Sequence, residues 1–277
     1  VDYDLTIDKQ SQIEEWVSAI ETAIENLDYL PADYSSVEDL KSRADEIDRT
    51  LYTPESLAEL DKALAAVDYD LTIDKQSQIT EWASAIETAI ENLDYLPADY
   101  SAVEAQLNKV NVLDRRYYSE ITLLALDNAV SAVEYGLDIT QQMRVNGFAE
   151  AIAAALSKLD YAAIVLRHDK CGIVVSATTK EIKPDTVLTA QEVDPSNYEG
   201  TNFAVGGSIR SLHFYDINLV FKGEKVQPEG KVTVKIKLAD GVNPAKCKVY
   251  HVTEDIVNPL VRFASTIDGN YIVFETT

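Results

Sequence analysis

The chain has 277 residues, 24 of them Lys or Arg and 47 Asp or Glu, for a formal net charge of −23. That acidity argues against nucleic acid or an anionic membrane as partner, because a phosphate-tracking surface needs clustered Lys and Arg. A hydrophobic content of 46% supports real cores, two Cys do not make a disulfide scaffold, and no apolar run reaches the roughly 18 residues of a membrane span.

The charge and the glycines divide the chain near Ala162. Residues 1–162 carry 33 acidic and 11 basic side chains, net −22; residues 163–277 carry 14 and 13, net −1. Eight of the ten glycines and all three histidines (His168, His213, His251) lie in the second part, as do Cys171 and Cys247.

The acidic part is a tandem repeat. Val1–Gln10 recurs at Val67–Gln76, an offset of 66 residues, and 1–35 differ from 67–101 only at Glu14/Thr80 and Val17/Ala83. A diverged third copy begins at Val133. A fixed period of this length marks an array of supersecondary units. In chain order, a helix starting near Thr6–Asp8 carries the apolar stripe Ile13, Trp16, Ile20, Ala23 and Leu27, and ends before Pro31. Ser35-Ser36-Val37-Glu38 reads as a capping box, repeated at Ser101–Glu104, ahead of the stripe Val37, Leu40, Ala44, Ile47 and Leu51. Thr53-Pro54-Glu55 offers an N-cap, a first-turn proline and an acid at the positive helix end, ahead of Leu57, Leu60, Leu64 and Val67. Three amphipathic helices per period predict an antiparallel bundle, and an odd number of helices per bundle extends the array end to end. Pro31 and Pro97 break the chain most sharply, so the predicted order within a bundle is the Ser35, Thr53 and Ile79 helices. Residues 1–32 are then a partial repeat with the third helix only, followed by bundles at 33–98 and 99–162. The opposite phase would pack Trp16 on Leu40, Ile47, Leu57 and Leu60 and leave 139–161 unpaired.

Residues 163–277 read as strands. Val232–Leu238 alternates apolar with polar, Asp268-Gly269 sits between two apolar runs, and Ile173–Ala177, Val187–Val193, Leu212–Phe221, Lys246–Val252 and Leu260–Ala264 are further candidates. About seven short strands with Gly/Pro turns predict an immunoglobulin-like β-sandwich. The fold class is therefore multidomain, α then β: tandem three-helix bundles, then the sandwich.

Asp48-Arg49-Thr50-Leu51-Tyr52-Thr53-Pro54-Glu55-Ser56-Leu57, with Leu60 and Ala63 and the Ile79–Trp82–Ile86–Ile90 helix, resembles the FIVAR repeats (found in various architectures). Asp114–Glu120 is a diverged copy of that signature without the proline. The resemblance covers about 1–162. It implies a Gram-positive cell-surface or secreted protein in which such repeats act as spacers, as adhesive modules toward host matrix, or as appendages of glycan-degrading enzymes. The run from Phe214–Ile217 through Val226–Val234 to Cys247–Tyr250 looks like a β-module of Firmicutes surface proteins.

The chemistry expected is correspondingly sparse: no catalytic residue, no cofactor and no metal site. The carboxylates read as a solvated helix exterior. Asp68-Tyr69-Asp70 with Asp74 lacks the glycine and the bidentate Glu of a calcium loop. Trp16, Trp82 and Phe148 share one core position of the helix, so Trp82→Ala should cost about 3–5 kcal/mol. Tyr29, Tyr34, Tyr95, Tyr100 and Tyr161, near helix ends, read as fasteners of the joints between bundles. Cys171 and Cys247 read as two buried thiols, with a bridge as the alternative. The function expected is a non-catalytic spacer. The alternatives are an adhesin module that binds a host extracellular-matrix protein, an immunoglobulin or a glycan through its helical faces, or an accessory region of a glycan-active enzyme. The uncovered stripe of residues 1–30 predicts self-association.

Overall fold

The computed structural model describes residues 7–194, 211–252 and 260–277. Seven α-helices precede ten β-strands among the described residues, so the protein is α then β. It divides into two compact units, Val1–Asp99 with Tyr135–Met143, and Tyr100–Glu134 with Arg144–Thr277.

In the first unit, α1 (Gln10–Glu25) is followed by α2 (Ser35–Asp45), α3 (Pro54–Ala65) and α4 (Gln76–Glu91). The core is built by α2, α3 and α4: Val37, Leu40 and Ala44 from α2, Leu60 from α3, Ile79, Ala83 and Ile86 from α4, and Ala32 from the connection before α2. Leu60, Ile79 and Ile86 are fully enclosed, and none of α1's residues is buried. Trp16 is accordingly not among the residues of the α2–α3–α4 core.

Several local expectations are corrected. Ser35 does not cap α2. It is the first helical residue, and the Asp33 Oδ1, two residues earlier, accepts from its amide at 3.0 Å. The aspartate sits where an Asx turn forms. Thr53 behaves as expected: its hydroxyl accepts from the Ser56 amide, Pro54 follows in the first turn and Glu55 lies beside the positive helix end. The stripe that ran on to Leu51 is cut after Asp45. Asp48 caps a short 3₁₀ turn at Arg49–Leu51, so Ile47 packs from a bend instead of from helix. The third helix starts at Gln10 and Gln76, each behind a 3₁₀ turn, later than Thr6–Asp8; Thr6 itself lies outside the described residues. The helices span 11 to 16 residues.

Trp82 is a second correction. It packs against the core from the margin and stays partly exposed; Trp16 and Phe148 are partly exposed as well. Ile79, Ala83 and Ile86 hold the centre of the helix face instead. The loss on Trp82→Ala is accordingly expected to fall below the about 3–5 kcal/mol of a fully buried aromatic, which urea unfolding of the variant measures.

Helices α5 (Ser101–Asn111), α6 (Glu120–Ser131) and α7 (Gln142–Ser157), which lie in the second unit except for Gln142 and Met143, bury residues in step with the first set. Val103, Leu126, Val145, Ala149 and Ile152 are buried, each 66 residues after Val37, Leu60, Ile79, Ala83 and Ile86. Ala98 is likewise buried 66 residues after Ala32.

The β part begins at once. β1 (Ala163–His168) follows the last helical connection directly, and its short inward set Ile164, Leu166 and His168 was not read as a strand. It pairs with β2 (Ile173–Thr178) in an antiparallel sheet completed by β6 (Val232–Lys237), β10 (Tyr271–Thr276) and β9 (Ser265–Asp268), in the order β1-β2-β6-β10-β9. A second sheet pairs β3 (Val187–Val193), β4 (Phe214–Phe221) and β5 (Glu224–Val226). Ile173, Val175, Val232, Val234 and Phe274 from the first sheet and Leu188 and Leu219 from the second share one core with Ile182. β4 and β5 are joined by Lys222-Gly223, both with positive φ (52° and 88°), a tight hairpin turn that suits the glycine. The residues at the β9–β10 turn are Gly269-Asn270, one later than the Asp-Gly reading, since Asp268 itself pairs with Tyr271. The strand expected over Lys246–Val252 is confined to β7 (Tyr250–Val252), because Pro244–Lys246 forms a 3₁₀ turn; it pairs with β8 (Leu260–Arg262). No helix among the described residues is long and apolar enough to cross a membrane.

Candidate functional site: the repeat joints

The feature that recurs with the period is the connection between helical sets. Leu30-Pro31-Ala32 runs antiparallel to Leu71-Thr72-Ile73: Ala32 donates to the Leu71 carbonyl at 3.0 Å, and Ile73 donates to the Leu30 carbonyl at 2.8 Å. The proline costs nothing here, because its position in the bridge needs no donor. The same arrangement returns 66 residues later, where Ala98 donates to Leu137 at 3.0 Å and Ile139 to Leu96 at 2.8 Å. The middle connection is bonded on its other side too. Thr53 donates to the Asp94 carbonyl and the Leu96 amide to the Leu51 carbonyl, both at 2.8 Å. Leu96 thus gives its N–H to one helical set and its C=O to the residues that open α7.

Side chains close each connection. The Gln76 carboxamide brackets Asp33, accepting from its amide and donating to its carbonyl, both at 2.8 Å. Gln142 does the same to Asp99 at 2.7 and 2.9 Å. A carboxylate at 76 could accept from the amide but would face the carbonyl with a second acceptor. Gln76→Glu is therefore expected to lose about 0.5–1.5 kcal/mol, measured by denaturant unfolding. Gln76→Glu melting with the parent would show that the bracket carries no weight.

The tyrosines sit at these places. Tyr34 stacks on Tyr69 (ring centroids 5.0 Å apart) and its hydroxyl donates to the Asp68 carbonyl while accepting from the Leu71 amide. Tyr95 stacks on Tyr52 at 4.6 Å and Tyr161 on Tyr118 at 5.6 Å. Tyr100 donates to the Glu134 carbonyl. The hydrogen bond between the Tyr52 and Tyr95 hydroxyls raises the Tyr52 pKa above the usual phenol value. Among the described residues Tyr29 has no such pairing, and it is exposed. Each stack still leaves an aromatic edge in water: Tyr95 and Tyr161 are equally exposed at 43%.

The last connection meets the β part in the same geometry. Ser119 donates to Asp160 at 2.8 Å and Ala162 to Tyr117 at 2.9 Å, as Thr53 and Leu96 do one period earlier. The Ala162 carbonyl then accepts from the Thr179 amide at 2.8 Å, where Leu96 accepts from Ile139. The buried Thr179 hydroxyl also donates to the Tyr117 carbonyl. A turn between β2 and β3 thus takes the part that a 3₁₀ turn plays between helical sets. Arg116 clamps the place, its guanidinium meeting Asp114 at 2.8 Å and Asp185 at 2.6 Å. Hydrogen bonds from Arg116 hold the Asp114 carboxyl below its ordinary value of 3.8. A carboxyl so lowered adds stability above its unfolded pKa and loses it as pH falls through the folded one. Asp114→Asn is therefore expected to lower the melting temperature at neutral pH, with the difference vanishing well below pH 3.8; a loss that persisted in acid would contradict the ion pair.

The remaining candidates stand apart from one another. Asp74 bonds Thr72, and the Asp68 carboxylate accepts from the Asp70 amide, so these acids cap turns. His213 meets Glu192 at 2.7 Å, His251 stacks on Phe263, and His168 Nδ1 is buried without a partner among the described residues. Cys171 and Cys247 are free thiols, donating to the Ala190 and Asn243 carbonyls. Among the described residues, no three His, Cys, Asp or Glu are placed to hold a metal ion. The bonds of Leu96, the Gln76 bracket and the role of Thr179 were missed in the sequence. Only the 66-residue recurrence of Leu-Pro-Ala-Asp, with a Gln 43 residues after each Asp, signals them. No family model, no curated protein and no solved structure matches the chain.

Proposed function

We propose that the chain is a non-catalytic spacer segment of a larger bacterial cell-surface or secreted protein. In this reading the helical sets are FIVAR-type three-helix bundles, and the two sheets around one core form an immunoglobulin-like sandwich that continues the array. The observation that carries the proposal is the connection at Leu96, hydrogen-bonded on both sides instead of hanging free. A connector fixed on both sides holds spacing; a flexible linker would let the modules wander as a random coil. The net charge of −23 adds repulsion between neighbouring copies and keeps them soluble.

Small-angle scattering on arrays with one, two and three copies of the 66-residue period tests it. A spacer gains a constant increment of maximum dimension with each copy. A radius of gyration that follows the compact relation, about 2.2·N^0.38 Å, overturns it.

A second reading, adhesion through helical faces to a matrix protein, an immunoglobulin or a glycan, has one observation in its favour. Tyr95 and Tyr161 present the same partly exposed aromatic edge one period apart. Binding lost on Tyr95→Ala together with Tyr161→Ala, in a chain that still melts cooperatively, would select it.

A further inference from the structure

Helices α1 and α4 are one sequence in two environments. They differ only at Glu14/Thr80 and Val17/Ala83. On α4, the α2–α3 pair encloses Ile79 and Ile86 completely. On α1, the matching Ile20 is 47% exposed, followed by Ile24 at 61% and Leu27 at 73%. The segment after the helix repeats the contrast. Asp94 accepts from Thr53, Tyr95 stacks on Tyr52, and Leu96 donates to Leu51. Among the described residues nothing plays that part for Asp28, Tyr29 and Leu30, and Tyr29 and Leu30 are 66% and 74% exposed. Leu30 is already bonded on its other side, through its carbonyl to Ile73.

We infer that α1 and the Asp28–Leu30 edge are the open half of one more joint, whose occupant is a helix pair of the α2–α3 kind. The chain itself shows what covers this surface, because α4 displays the same residues covered. Three observations favour that occupant over a second copy of the chain. The α2–α3 surface of another copy is already filled by its own α4, so an exchange uncovers as much apolar surface as it covers. Pairing α1 with another α1 sets Glu14, Glu15, Glu21 and Glu25 beside their duplicates, and α1 has no Lys or Arg to offset them. An α2-type helix instead brings a cation: Arg43 lies 3.9 Å from Glu87, the counterpart of Glu21. The α1–α1 pairing also lacks the Leu-Tyr-Thr backbone that bonds the edge. The inference concerns an interaction surface and stands whether or not the array serves as a spacer.

The test copies residues 31–66 ahead of Val1, so that the added pair leads into Val1 as residues 31–66 lead into Val67. A second fusion carries Val17→Ala, which restores the residue of α4 in case the added methyls crowd the contact. Hydrogen exchange of the α1 amides is followed by mass spectrometry in the full chain with and without the fusion. Protection of α1 rising severalfold toward that of α4, and Ile20→Ala lowering the melting temperature only in the fused chain, support the inference. Unchanged exchange in both fusions overturns it. Concentration-dependent association of the unfused chain, with α1 protected and the association lost on deletion of residues 1–30, overturns it in favour of a second copy. Failure here leaves the scattering increment per period untouched, so the two readings fail separately.

Discussion

Ile86→Ala is expected to cost about 2–5 kcal/mol, while Ile20→Ala, in the same local sequence, stays within about 0.5 kcal/mol. Both residues sit in Ser-Ala-Ile-Glu-Thr, on helices that differ at two positions, so intrinsic helix propensity cancels between them. What remains is burial. Ile86 is fully enclosed by the α2–α3 side of the core, and removing its outer carbons opens a cavity that a small core closes poorly. Ile20 is 47% exposed and has little to lose. The unit has few large buried side chains besides Leu60 and Ile79, so a loss of this size is a substantial part of its stability. Chemical denaturation of the two single variants, followed by far-ultraviolet circular dichroism, gives both numbers. Equal losses would place both helices in cores and contradict the assignment of α2, α3 and α4 as the packed set.

The same pair of residues shows what the sequence can and cannot state. Ile20 and Ile86 are indistinguishable by pattern, since periodicity reports which face of a helix is apolar and not what covers it. The sharp breaks at Pro31 and Pro97 suggested the order within a set, yet they were read only as interruptions. In the structure those segments are short bridges, and the alanines after the prolines, Ala32 and Ala98, belong to the buried residues. A small apolar residue between Pro and Asp carries no signal of burial. The capping residue was misplaced for a related reason. Asp33 and Ser35 are both good acceptors near a helix start, and local sequence does not decide which one faces the free amides. Trp82 was assigned to the core because it shares one position of the helix with Trp16 and Phe148, but the enclosed positions fall to Ile79, Ala83 and Ile86, and the indole is left at the margin. In the β part, alternation located β6, and β2, β3 and β4 were further strand candidates, whereas β1 was hidden by its start right after the last helical connection.

Gly172→Ala is expected to cost roughly 2–5 kcal/mol, for two reasons that add. Gly172 has φ +62°, where an alanine loses about 1–2 kcal/mol to its own backbone. A Cβ at this position would also lie 2.7 Å from the Lys237 Cβ, and accommodating that overlap costs about 1–3 kcal/mol. The approach cannot simply relax, because the Lys237 amide donates to the Gly172 carbonyl at 2.9 Å and the next residue, Ile173, pairs with Ile236 in the sheet core. Gly223→Ala is the control: φ is +88° there, but nothing lies within 4 Å of the added carbon, so only the backbone part applies. Urea unfolding of both variants separates the two contributions, and equal losses would mean that the β2–β6 approach yields without cost. The outcome bears on the last joint as well. Thr179, which donates to the Ala162 and Tyr117 carbonyls, directly follows the end of β2, and Gly172 lies just before its start. Loosening β2 at Gly172 should therefore also speed amide exchange at Thr179, while Gly223→Ala, in the other sheet, should leave that amide protected.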